Sequence, residues 1–167
     1  CHQIMDKVSA KNQFVRATEV ETCAQCHKDR RAQLWRSSHM PVREGKLQCS
    51  SCHNPHGTAN QKLLKELTVN ETCYTCHAEK RGPFLYEHAP VTENCANCHE
   101  PHGSNKEKLL KVSRPRLCQQ CHPTAHGGTI AKPSDAATVR FVYNKGCVNC
   151  HLNLHGSNHP AGAFFTR

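Results

Sequence analysis

Six times along the chain, two cysteines stand three positions apart with a histidine directly after the second. The sets are Cys23, Cys26 and His27; Cys49, Cys52 and His53; Cys73, Cys76 and His77; Cys95, Cys98 and His99; Cys118, Cys121 and His122; and Cys147, Cys150 and His151. No other feature limits the fold as severely. Cysteines at this spacing add across the two vinyl groups of one haem, and the histidine that follows is set to bind the iron from below, so each set reads as a c-type attachment site. Zinc ribbons also use Cys-x-x-Cys pairs, but they do not require a histidine after every second cysteine. With 14 histidines in 167 residues, six such matches by chance have a probability below about one in a million. A thioredoxin-like redox protein uses one such pair, not six.

The sites fall into a two-haem repeat. Residues 21–70 open on Glu21-Thr22-Cys23, pass His39-Met40-Pro41-Val42 and Cys52-His53-Asn54-Pro55-His56-Gly57, and finish on Lys62-Leu63-Leu64-Lys65. Residues 71–116 keep that order with Glu71-Thr72-Cys73, His88-Ala89-Pro90-Val91, Cys98-His99-Glu100-Pro101-His102-Gly103 and Lys108-Leu109-Leu110-Lys111. A looser third unit, 117–167, carries His126 and then Cys150-His151-Leu152-Asn153-Leu154-His155-Gly156. Each unit holds an A-type motif followed by a B-type motif, within one continuous haem-wire domain.

The thirteenth cysteine fits the same register. From the second cysteine of a B-type motif to the first of the next A-type motif there are 21 positions for Cys52 to Cys73, 20 for Cys98 to Cys118, and 22 for Cys1 to Cys23. Cys1 and His2 are therefore expected to be the tail of a seventh motif whose first cysteine precedes the sequence, and residues 1–20 the tail of a preceding unit. A lipid-bearing cysteine is the rival reading. Because thioether attachment takes place outside the bacterial cytoplasm, an export signal is expected to have preceded the chain. The cysteines are then haem anchors and not a disulfide framework.

Histidine arithmetic suits seven haems. The motifs use His2, His27, His53, His77, His99, His122 and His151, and the remainder, His39, His56, His88, His102, His126, His155 and His159, match seven sixth ligands. His56 follows His53 by three positions and cannot wrap to the opposite face of its own haem. It is expected on a neighbouring haem, as are His102 and His155, whereas His39 and His88 reach either round their own haem or into the next. His159 lacks a counterpart in the other units. Met5 falls where the other repeats place a ligand histidine, and a thioether there would raise that haem's potential.

Only 37% of residues are hydrophobic, cysteines included, too few for a sizeable side-chain core. Seven haems, at about 24 residues each, would supply the missing apolar mass. The expected fold is a multihaem cytochrome c: mostly irregular coil with short helices wrapped around a row of covalently bound haems, with little or no sheet. Helical composition marks residues 29–37 and 60–66 and a short turn at each motif, while Ala137–Tyr143 is a brief apolar stretch. The formal charge of +9 is matched against haem propionates, so no nucleic-acid partner is expected. No apolar run approaches the roughly 18 residues of a membrane helix.

The motif Cys-x-x-Cys-His-x-Pro-His-Gly-Ser, the run Cys76-His77-Ala78-Glu79-Lys80-Arg81-Gly82-Pro83-Phe84 leading to His88-Ala89-Pro90, and the ending His155-Gly156-Ser157-Asn158-His159-Pro160 resemble the decahaem cytochromes of the MtrA/DmsE family. The resemblance covers essentially the whole chain and would correspond to the C-terminal seven haems of ten. It implies a periplasmic, outer-membrane-associated electron carrier without enzymatic activity, threaded through a β-barrel porin and exchanging electrons with periplasmic and extracellular redox cytochromes. It also implies distal ligation by His39, His56, His88, His102, His126 and His155, a bis-histidine pattern from which Met5 departs. Two other classes fit the motifs: the protomer of an extracellular cytochrome filament, and a multihaem reductase of nitrogen or sulfur oxyanions.

Overall fold

The computed structural model describes residues 18–60, 62–123 and 146–166. Cys1, His2, Met5, His126 and the stretch Ala137–Tyr143 lie outside them. Six short α-helices occur among the described residues: α1 (Glu19–Ala24), α2 (Lys28–Leu34), α3 (Cys49–Cys52), α4 (Val69–Tyr74), α5 (Ala89–Glu93) and α6 (Arg116–Gln119). Pairing between extended segments is confined there to isolated bridges. The chain forms two compact units, 1–68 with 100–109, and 69–99 with 110–167.

In the first unit, α1 starts on a reciprocal cap, with the Thr18 hydroxyl accepting from Glu21 N (3.3 Å) and the Glu21 carboxylate accepting from Thr18 N (2.9 Å). This satisfies two of the amides that a helix start leaves free and sets Cys23 on the last turn. The stretch 60–66 is expected to be helical, but its described residues, 60 and 62–66, are not. Asn60 Oδ1 accepts from the amides of Lys62 (3.2 Å) and Leu64 (2.8 Å), and its Nδ2 donates to the carbonyls of Leu64 and Glu66. The side chain thus takes the backbone groups that a helix would have used. Leu63 turns left-handed at φ 53°, and the segment folds back so that Asn54 N donates to Leu63 O and Lys65 N to Cys52 O.

The second unit is organised by the buried Asn70 of α4. Its Nδ2 donates to the carbonyls of Val91 and Thr92, and its Oδ1 accepts from Cys95 N. Those bonds tie the A-type helix to the turn carrying the next B-type motif, itself capped by Asn94 through Ala96 N.

The His-Gly-Ser element following each of two B-type motifs docks by a short antiparallel bridge, Ser104 on Ser38 in the first unit and Ser157 on Tyr86 in the second. Glycine is required at the bend. Gly103 has φ +145° and Gly156 φ +133°, and a Cβ would collide with the Gln33 carbonyl in one and the Phe84 ring in the other.

Side chains do not make a core of ordinary size. Among the described residues, the buried apolar ones are Ala24, Leu34 and Leu110, while Leu67, Leu85 and Phe164 are about three-quarters exposed. Burial of apolar surface is the main stabilising term in folding, so this polypeptide depends on something besides its own side chains.

Candidate haem sites

All six complete motifs begin on a helical turn. Cys23, Cys49, Cys73 and Cys118 lie in α1, α3, α4 and α6, and Cys95 and Cys147 open 3-10 turns. In each, the histidine amide donates to the carbonyl of the first cysteine, from His27 N to Cys23 O (3.0 Å) through to His151 N to Cys147 O (2.9 Å). One turn therefore presents both sulfurs and the imidazole together. None of the twelve described cysteines is paired in a disulfide.

Sulfurs of different motifs also come together. Cys23 and Cys49, the first cysteines of the A-type and B-type motifs of one repeat, lie with Glu19 so that their ligand atoms are within 4.8 Å of one another. Burial, then the adjacent Cys23, push the Cys49 thiol up to about 11, and burial followed by Cys147 does the same at Cys118. Cys98 is raised first by burial and next by Cys121. First cysteines thus adjoin in the first and third repeats, Cys23 beside Cys49 and Cys118 beside Cys147, while Cys121 acts on Cys98 through charge. Zinc requires thiolates gathered in a tetrahedron, and among the described residues no such gathering takes both sulfurs of one motif. Anchors for neighbouring cofactors within each unit fit this arrangement.

The imidazoles form pairs of one kind. His53 faces His102 with ring centroids 6.1 Å apart and planes at 11°, His88 faces His122 at 6.2 Å and 20°, and His99 faces His155 at 6.3 Å and 18°. Each pair joins a motif histidine to a non-motif one. Two imidazoles on opposite sides of one metal, with bonds of about 2.0 Å and ring centres about 1.1 Å behind the nitrogens, put their centroids about 6.2 Å apart. The donor set fits a six-coordinate haem iron.

Protonation agrees with that fit. His53 Nδ1 lies 2.8 Å from Lys62 O, and His151 Nδ1 lies 2.6 Å from Phe164 O. A carbonyl can only accept, so Nδ1 carries a proton, and in the neutral ring that tautomer leaves the Nε2 lone pair to a metal. Each accepting carbonyl precedes a left-handed residue, Leu63 or Phe165, both at φ 53°. Burial is the first cause lowering the pKa of His88, His102 and His155, which favours the neutral ring a ligand must have.

Other candidates take different surroundings. His39 has Nδ1 2.7 Å from Arg36 O and Nε2 3.0 Å from Glu44. His77 Nδ1 lies 3.5 Å from Glu79, His27 precedes α2, the His56 amide donates to Asn54, and His159 Nδ1 accepts from Ala161 N. Sequence reasoning did not single out Asn70 or the Lys62 and Phe164 carbonyls. Glu100 was also missed, although it stands where the sister loops carry Asn54 and Asn153, a difference visible in the repeat.

Two comparisons bear on these sites. The doubled CXXCH motif family matches residues 39–82 and 88–127, half of the chain. The multiheme cytochrome MtrA of Shewanella baltica (strain OS185) is 48% identical over 176 aligned positions, which take in the whole chain and 51% of the relative. The chain thus spans about half the length of that curated relative.

Proposed function

Because the chain belongs to the doubled CXXCH motif family, we propose that it is an MtrA-type multihaem cytochrome that binds haem c covalently and transfers electrons, its haems forming one bis-histidine row leading through an outer-membrane porin. Bound haem iron supplies a one-electron couple. Residues hold it as follows: Cys49, Cys52 and His53 with His102; Cys95, Cys98 and His99 with His155; Cys118, Cys121 and His122 with His88. Cys23, Cys26 and His27, Cys73, Cys76 and His77, and Cys147, Cys150 and His151 anchor three more, and Cys1 with His2 contributes to a seventh. His39, His56, His126, His159 and Met5 are the reserve of sixth ligands, and the two-haem repeats 21–70, 71–116 and 117–167 are the building units.

The single observation carrying this reading is the recurrence of near-parallel imidazole pairs at 6.1 to 6.3 Å. A second imidazole fills the position that substrate chemistry would need open, so the ligands favour electron transfer without bond making. Sulfur neighbours such as Cys23 and Cys49 bring attachment points side by side, which keeps successive carriers close.

No helix among the described residues is long and apolar enough to cross a membrane, and irregular backbone survives at membrane depth only inside protein or water. A periplasmic chain that conducts across the outer membrane therefore needs an enclosing barrel, with redox cytochromes at either end. The test is affinity purification of the haem-loaded protein from membranes in mild detergent. A stoichiometric β-barrel partner is expected; a soluble, partner-free cytochrome would overturn the conduit.

A further inference from the structure

We propose that Glu100 sets the reduction potential of the haem held by His53 and His102, keeping that site at the low end of the row, with Arg30 as its partial counterweight. The proposal rests on the axial pairing stated above. Three B-type loops share one backbone bond: Asn54 N to Leu63 O (2.7 Å), Glu100 N to Leu109 O (2.7 Å) and Asn153 N to Phe165 O (3.0 Å). These residues therefore occupy equivalent places. Both asparagines are neutral and spend their side chains on the turn, Asn54 Oδ1 accepting from His56 N and Asn153 Nδ2 donating to Thr166 O.

In the middle loop that place holds a carboxylate. Glu100 Oε1 lies 3.4 Å from Nδ1 of His102, a buried nitrogen with no hydrogen-bond partner of regular geometry. Arg30 Nη1 stands 3.9 Å from the same oxygen. By contrast, the opposite ligand, His53, turns its Nδ1 to the neutral Lys62 carbonyl at 2.8 Å. A carboxylate drawing on the far N–H makes an imidazole a stronger donor and adds a negative charge beside the iron. Both effects favour the ferric state over the ferrous, which lowers the potential. Arg30 opposes this by neutralising part of that charge.

The experiment is a redox titration of the haem-loaded protein, followed by visible absorbance and EPR, in E100N, E100Q and R30Q. Asparagine is native to both sister loops, so E100N is compatible with the turn. In E100N and E100Q one component should rise, its oxidised-to-reduced ratio at fixed potential falling about tenfold, equivalent to about 59 mV for a one-electron couple. R30Q should move the same component down. Unmoved components in both Glu100 variants, an even drift of every component, or a rise in R30Q would overturn the proposal. H102A separates the two levels. A new high-spin ferric signal upholds the axial pair, leaving an unmoved E100N to count against Glu100 alone, whereas spectra that stay wholly low-spin remove the pair and this proposal with it.

Discussion

The ring of His155 lies opposite that of His99, 6.3 Å away and 18° from parallel, although the two belong to B-type motifs of successive repeats. The same relation joins His102 to the earlier His53. On the proposed ligation, a B-type loop lends its second histidine backwards, and His88, which faces His122 of the following A-type motif, is lent forwards. Ligands exchanged in both directions would cross-link successive sites and hold the row without a conventional core.

This exchange separates attachment from ligation. H155A should retain its full haem mass, since Cys95 and Cys98 remain, yet gain one high-spin site that binds carbon monoxide or cyanide. Intact-mass spectrometry and EPR together check it; a loss of haem mass would show that His155 serves attachment instead. H155M should stay low-spin and raise one midpoint potential, as a thioether ligand does.

The docking glycines should differ in sensitivity. Gly103 and Gly156 combine positive φ with contact against the Gln33 carbonyl and the Phe84 ring, whereas Gly57 has φ +122° but nothing within 4 Å of a Cβ. G57A should cost only the backbone strain, about 1–3 kcal/mol. G103A and G156A should cost more than that, seen as lower thermal midpoints in the Soret circular dichroism of the haem-loaded protein.

Asn70 is the joint between an A-type helix and the next B-type turn. N70A leaves the Val91 and Thr92 carbonyls and the Cys95 amide without these partners; the groups are part-buried, so each costs less than the roughly 1–3 kcal/mol of a fully buried group left unpaired. Local unfolding should centre on Cys95 and Cys98, read by hydrogen exchange of that peptide. Uniform exchange across the chain would contradict a local role.

The start of α1 should depend on pH. The Thr18 backbone N–H, then its side chain, hold the Glu21 carboxyl below its ordinary 4.5. A carboxylate with a depressed folded pKa stabilises above its unfolded value and loses that contribution as pH falls through the folded one. Amide protection of Thr22 should therefore decline below about pH 4.5 in the native protein, and E21Q should be weaker at neutral pH and flat through that range.

How much could be read in the sequence follows from the range of the interactions involved. The attachment motifs are local: five residues on one helical turn bring both sulfurs and the imidazole together, so spacing alone reveals them. The paucity of sheet and long helix is local too, because Gly and Pro recur between the motifs. Residues 60–66 misled because helix-compatible composition says nothing of Asn60, whose amide captures four backbone groups at once.

By itself, then, the sequence determined where haem is anchored, the two-site repeat that carries the anchors, and a chain too polar to build its own core. The tertiary structure alone decided which imidazole faces which, and which polar group stands behind each. The paired imidazoles are separated by dozens of positions, over which no helical or strand period transmits register. Their meeting depends on where bends such as Gly103 and Gly156 dock, and that is a property of packed surfaces and not of spacing.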